Sequence, residues 1–298
     1  MVVMTDQNSP AQRTTAALLR GYAALAYASF VVAVAWGITF LADLRVAPVV
    51  DRAGRLPAWP SALADLALLG LFAIQHSVMA RRGFKSWLAA RLPAAAERST
   101  YVLASSVILL MAFWLWQPLP AVIWRVSAQP WVGLIWVLYG LGWAIAVAAT
   151  FLVDHLDFLG LKQAGWRGAG RPYEPPSFTT RWLYSCVRHP LMTGLIVAFW
   201  ATPAMTAGHL LFAVAGTGYI LVGIRFEERD LRRDLGATYE RYAERVPALV
   251  PVRLTRDASG SGSERRRRPG DQLPQCLSIS YRSDPRSAAR VIVDQLAE

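Results

Sequence analysis

Long charge-free apolar stretches, separated by short loops that hold most of the arginine and lysine, constrain this chain more than any other feature. A helix needs roughly 17–25 apolar residues to cross the hydrocarbon core of a bilayer. Ala16 to Ala42, Ser61 to Ala80, Thr100 to Trp116 and Trp131 to Val153 each come close to that length. The second stretch ends at Arg81-Arg82, and the third stops at Pro118 and Pro120. The first is longer than the roughly 7–15 apolar residues of a signal-peptide core and lacks a convincing cleavage site, so it reads as a first membrane helix. A further apolar region, Leu191 to Ile224, is too long for one crossing and too short for two generous ones. Pro203 and Gly208 at its middle predict a tight hairpin of two short helices. The expected fold is therefore an all-α integral membrane protein. It has four transmembrane helices plus a C-terminal transmembrane hairpin, about five to six spans in all, and a cytosolic amphipathic segment after the hairpin.

Loop charge sets the expected orientation. Loops 81–99 and 154–190 carry five Arg and Lys each, loop 41–60 carries three, and loop 117–130 only Arg125. With the N-terminus inside, the richest loops and the C-terminus also fall inside, as the positive-inside rule requires. The expectation is a bacterial inner-membrane protein with both termini cytoplasmic. The same positions explain the net charge of +11. The cations flank apolar spans or crowd the last segment, where they meet anionic headgroups of the lipid bilayer. No basic helix face or RNA-binding motif is present, so a nucleic-acid partner is excluded.

Beyond about Leu254 the character changes. Asp257 to Ser263 is a Gly/Ser linker, followed by Glu264 and four consecutive arginines. Residues 1–254 are thus expected to form the membrane domain and 255–298 a basic, disordered tail. The two cysteines, Cys186 and Cys276, support neither a disulfide framework nor a structural zinc site. The four histidines show no metal-ligand spacing, so no metal is expected.

Ionisable and polar groups inside or beside membrane helices are costly, which makes them functional candidates. Gln75-His76-Ser77, Asp154-His155-Leu156-Asp157, Arg188-His189-Pro190 and Arg225 to Asp230 all fall at helix ends on the expected cytoplasmic side. Each also has a structural reading. His189-Pro190 is a plausible helix start, and Glu228 with Arg232 is an ordinary i,i+4 surface pair. A buried His76 can be satisfied by a backbone carbonyl, and His155 with Asp157 can anchor a helix end. His209, at the opposite face, reads as structural. What favours function is the gathering of separate polar groups at one depth.

The segment Arg188-His189-Pro190-Leu191-Met192-Thr193-Gly194, the later Glu227-Glu228-Arg229-Asp230-Leu231, and Leu235-Gly236-Ala237-Thr238-Tyr239-Glu240-Arg241-Tyr242 resemble the isoprenylcysteine carboxyl methyltransferase-like membrane enzymes. Tyr184 fits the same pattern, although Trp182 stands where that group often has Gly. Upstream, Gln75 to Arg81, Glu97 to Tyr101 and His155 to Leu161 are similar to the bacterial methanethiol S-methyltransferases. The related nitrite/nitric oxide reductase-associated membrane proteins share the Gln-His-Ser element. The resemblance implies conversion of methanethiol to dimethyl sulfide with S-adenosylmethionine as donor. It implies donor contacts from Tyr184, Arg188, His189, Pro190, Gly194, Glu227, Glu228 and Tyr239, and catalytic roles for His76, His155 and Arg188.

The chemistry suits these residues. A sulfonium makes its methyl group electrophilic without a metal, so the protein must bind a cation, align donor and acceptor, and supply a thiolate. A small thiol partitions into lipid and can approach from the membrane. The competing readings are a prenylcysteine or lipid acceptor at the same donor site, and a non-enzymatic membrane factor of nitrogen-oxide metabolism. A transporter is disfavoured because the apolar segments show no two-halves repeat.

Overall fold

A computed structural model describes residues 10–44, 48–50, 56–166 and 180–251. The expected tail at 255–298 and most of the loop before Tyr184 lie outside those residues. Five helices are long and apolar enough to cross a membrane. In chain order, α1 (Pro10–Leu41) is followed by α2 (Ala58–Ala80), the short α3 (Arg82–Ala89), α4 (Ala94–Leu115), β1 (Val122–Arg125) and α5 (Trp131–Val153). Then come α6 (His155–Phe158), α7 (Leu183–Cys186), α8 (Pro190–Trp200), β2 (Ala204–Thr206), α9 (Ala207–Leu235) and α10 (Ala237–Arg245). The protein is an all-α integral membrane protein, with one short strand pair among the described residues. Large apolar side chains such as Ile74, Leu134 and Phe151 point outward at 66%, 58% and 62% exposure. That exposure suits a lipid solvent.

The bundle is held by close backbone approach where side chains are small. On α1, Ala23, Ala26, Ala33 and Gly37 make a buried stripe against α4, with Phe113 of α4 packed into the space over Gly37. The α5–α8 crossing is tighter still. A methyl group at Gly194 would sit 2.5 Å from the Gly142 carbonyl oxygen and 2.6 Å from the Ala146 nitrogen. Lipid offers no hydrophobic drive between helices, so such small-residue contacts are what let them pack. An aromatic core of Phe40, Phe113, Trp116, Phe199 and Phe212 fills the half of the bundle away from the charged helix ends.

The hairpin breaks where Pro203 and Gly208 predicted, but its arms are unequal. The first arm, α8, has 11 residues, which gives only about 16 Å of helix. The extended stretch to Thr206 continues the path, and β2 pairs antiparallel with β1, Val122 opposite Thr206. The second arm, α9, has 29 residues, about 43 Å at 1.5 Å per residue. It therefore carries Glu227 and Glu228 to the same end of the bundle as the start of α8. His209 sits at the opposite end, as expected, with its backbone N–H donating to Thr206 Oγ1 and its ring 2.9 Å from the Phe199 carbonyl oxygen. Asp65, fully buried, marks that end too and accepts from the Gln117 backbone N–H at 2.8 Å.

Some details depart from the sequence expectations. The third span begins at Ala94 rather than Thr100, because Ala94 to Ser99 has good helix formers that the apolar criterion passes over. The short α3 between α2 and α4 was not anticipated. Its Arg82 donates to Asp234 of α9 at 2.7 Å, which ties the loop to the helix end. Trp182 has φ +55° and ψ −124°, a conformation favoured by glycine and costly for a residue with a Cβ. The family's usual glycine thus falls at the position whose backbone calls for it.

Because α8 has no room to shift against α5, Gly194→Ala should lower thermal stability by about 1–3 kcal/mol. A melting curve in detergent micelles checks this; an unchanged melting temperature contradicts the crossing described.

Candidate active site

The Arg-His-Pro and Glu-Glu segments meet. Pro190 occupies the first turn of α8, where its missing N–H costs nothing, and this leaves His189 as the buried residue at the helix entry. The ring of His189 faces two carboxylates of α9: its Nε2 lies 3.2 Å from Glu228 Oε1 and its Nδ1 3.4 Å from Glu227 Oε2. Arg188 Nε donates to Glu228 Oε1 at 2.8 Å, and Arg232 Nη2, one turn along α9, donates to Glu228 Oε2 at 3.1 Å. The i,i+4 pair expected on an exposed helix is present, with Arg232 exposed at the rim and Glu228 buried in the hub.

Arg188 also closes the site from the C-terminal side. Its Nη1 donates to the carbonyl oxygens of Ala243 and Val246 at 3.1 and 2.6 Å. The backbone N–H groups of Arg188 and His189 donate to Pro247 and Ala248, and Thr193 Oγ1 donates to the Leu249 carbonyl at 2.9 Å. These bonds clasp the chain after α10 against the start of α8. Tyr242 adds a 2.6 Å hydrogen bond to the Tyr184 carbonyl oxygen, and Val153, Tyr184, Leu231 and Tyr239 pack as one apolar cluster beneath. The expected i,i+4 pair of Glu228 with Arg232 is present; sequence reasoning missed the roles of Tyr242 and the clasped carbonyls.

The electrostatics separate the two glutamates. Glu228 is saturated by Arg188, His189 and Arg232. Glu227 meets no donor except His189 among the described residues, so it keeps acceptor capacity. Burial opposes charge on His189, but Glu227 and Glu228 outweigh it and raise the ring's pKa to about 9. Tyr239 is 1% exposed, and its hydroxyl is buried with no hydrogen-bond partner among the described residues. Burial, reinforced by the Glu228 carboxylate, holds that phenol well above its ordinary pKa. It remains a neutral donor. Burial and then Glu227 act in the same direction on Tyr184.

The other expected residues fall in separate clusters at the same bundle end. His76 lies between α2, α4 and α9, with its Nε2 2.7 Å from the Tyr101 hydroxyl and its Nδ1 3.2 Å from Ser105 Oγ. Phe72 stacks on it at a centroid distance of 5.1 Å. His155 is engaged on both nitrogens, by Thr150 Oγ1 at 2.8 Å and by the Tyr27 hydroxyl at 3.2 Å, and it stacks on Phe151. Burial lowers its pKa against the pull of Asp154. That arrangement matches the helix-end anchor, with Lys162 paired to Asp154 at the turn. Gly194 serves the site by setting how closely α8 approaches α5.

A family model for "NnrU protein" matches residues 66–229, a span that holds both the Gln-His-Ser and the Glu-Glu motifs. The chain belongs to the NnrU family. Within its reach are curated relatives of high similarity. It is 48% identical over 230 residues to a methanethiol S-methyltransferase of Mycobacterium tuberculosis, covering 77% of this chain and 94% of the relative. It is 50% identical over 233 residues to methanethiol S-methyltransferase 2 of Bradyrhizobium diazoefficiens, covering 77% and 88%. A methanethiol S-methyltransferase of Pseudomonas deceptionensis is 47% identical over 207 residues, covering 68% and 78%. No solved structure matches the chain.

Two outcomes test this reading of the NnrU-family site. Glu228→Gln leaves Arg188 and His189 without their shared partner and should destabilise the fold by about 3–5 kcal/mol. Glu227→Gln should change the melting temperature far less. Equal losses in thermal melts would contradict the division of labour. The second outcome concerns pH. A histidine whose folded pKa is raised stabilises fully below its unfolded value of 6.5 and loses that contribution as pH climbs through about 9. The gap in melting temperature between wild type and His189→Gln should therefore be constant below pH 6.5 and close across that window; a gap that stays flat to pH 10 contradicts it.

Proposed function

We propose that this protein methylates methanethiol to dimethyl sulfide with S-adenosylmethionine as the methyl donor. The observation that carries the reading is identity of about half the aligned residues with proteins named methanethiol S-methyltransferase, in a chain that brings its Arg-His-Pro and Glu-Glu segments together in one hub. The donor side lies at the hub, facing the cytoplasm, with the N- and C-termini on that side of a bacterial inner membrane.

The residues present fit such a donor. The buried Tyr239 hydroxyl, with no hydrogen-bond partner among the described residues, is a polar group that a ligand would satisfy. Glu227 has the spare acceptor capacity that an ammonium group or ribose hydroxyls would use. Tyr184, Tyr239, His189 and Glu227 hold the donor; Arg188, Glu228, Pro190 and Gly194 fix their positions. Bound there, S-adenosylmethionine supplies a methyl group already made electrophilic by its sulfonium. Glu228 is taken up from three directions, whereas Glu227 pairs only with His189 among the described residues and is the carboxylate left to face a cationic donor.

The acceptor side lies deeper on the same helix. Tyr219 of α9 stands edge-on to His76 and precedes Glu227 by eight residues, a rise of about 12 Å. A neutral His76 accepts the thiol proton, directly or through the hydroxyls of Tyr101 and Ser105 that contact its ring. The thiolate sulfur is then the nucleophile. His155, held by Thr150 and Tyr27 and stacked on Phe151 just past the end of α5, is read as an anchor.

Headspace gas chromatography on the purified protein tests the proposal. Dimethyl sulfide should form only when S-adenosylmethionine and methanethiol are both supplied, and His189→Ala should abolish it. Folded wild-type protein that yields none under those conditions refutes the reading.

A further inference from the structure

One side chain beside His76 is left incomplete. The amide nitrogen of Gln75 donates to Met79 Sδ at 3.0 Å and to Ser105 Oγ at 3.3 Å. Its carbonyl oxygen, Oε1, is buried and accepts from no donor among the described residues. An unmet acceptor in the interior of a membrane helix bundle costs free energy, since no lipid group can satisfy it. Such a group persists where something else comes to use it.

The surroundings say what that is. Gln75 and His76 both contact Ser105 Oγ, at 3.3 and 3.2 Å, so one hydroxyl holds the two side chains at the same place. The walls are the rings of Phe72, Tyr101 and Tyr219, and the Met79 sulfur lies at the amide. The contacts that Gln75 and His76 make here are to hydroxyls, sulfur and rings, with no charged partner. This chemistry suits a small, neutral, lipid-soluble molecule with one polarised hydrogen and a soft apolar remainder.

We propose that Gln75 Oε1 accepts the S–H hydrogen bond of the incoming acceptor thiol and seats the sulfur beside the His76 ring. The amide does not take the proton, which passes to His76 when the S–H turns to that ring and the thiolate forms. Gln75 is then a substrate-binding residue and the α2–α4–α9 contact is the acceptor site. This rests on the methyltransferase reading above. A thiol is a weak donor, so the bond contributes orientation and a modest share of affinity. The alkyl group rests on the aromatic walls.

The test compares two ligands of the same enzyme. Dimethyl sulfide, the product, has the same apolar character as methanethiol but no S–H. In Gln75→Met, KM for methanethiol should rise about five- to tenfold, while Kd for S-adenosylmethionine and product inhibition by dimethyl sulfide stay within about twofold of wild type. Gln75→Leu should give the same pattern with a different side-chain shape. Both variants also remove the amide N–H bonds to Met79 Sδ and Ser105 Oγ, so a small and equal fall in melting temperature accompanies each. An unchanged KM overturns the proposal, as does a parallel weakening of dimethyl sulfide inhibition. Absence of turnover in the wild type is a different result: it removes the methyltransferase reading and this site with it.

Discussion

The carboxylate of Glu228 is the contact on which the working end of this protein depends. It is buried on a helix that leaves the membrane, and three cationic groups converge on it from α8 and from its own helix. Burying a charge is expensive unless it is fully paired, so the hub has only one low-energy arrangement. That arrangement fixes the entry of α8, the exit of α9 and, through the carbonyls clasped by Arg188, the path of the chain after α10. Glu227 and Tyr239 are held at its edge with unused hydrogen-bonding capacity. Rigid pairing on one glutamate leaves the next free to bind.

The hub can form only because α8 and α5 cross without side chains between them at Gly142 and Gly194. A short α8 would have little purchase in lipid by itself. Close backbone contact with α5 along its length, together with the β1–β2 pair at the far end, makes it a fixed strut. The chemistry at one end and the small residues in the middle are therefore parts of one design. The cluster around His76 uses the opposite strategy, with hydroxyls and rings in contact with the imidazole in place of charges.

Much of the fold was legible in the residue pattern, because lipid imposes a simple rule: apolar stretches of sufficient length become helices. The break near Pro203 was legible too, since proline cannot continue a helix. What the pattern hid depends on partners distant in sequence. Val122 to Arg125 becomes a strand only because Ala204 to Thr206 lies beside it. The meeting of Arg188-His189 with Glu227-Glu228 was readable from motif spacing. The clasp of Arg188 on the Ala243 and Val246 carbonyls was not, since backbone acceptors carry no residue signature. Gln75 was visible as a neighbour of His76, but its empty acceptor emerges only when both ends of the amide are traced in space. At Trp182 the sequence showed only a departure from the family's usual Gly; the glycine-like backbone there emerges from the structure.

The proposed binding place of the methyl donor is the Glu228 hub rather than the hydroxyls around His76. Ultraviolet crosslinking of radiolabelled S-adenosylmethionine to the purified protein, followed by peptide mapping, tests it most directly. Label in peptides that contain Tyr184 or Tyr239 is the predicted result. Label confined to the peptides of α2 and α4 that carry His76 and Tyr101 would contradict it.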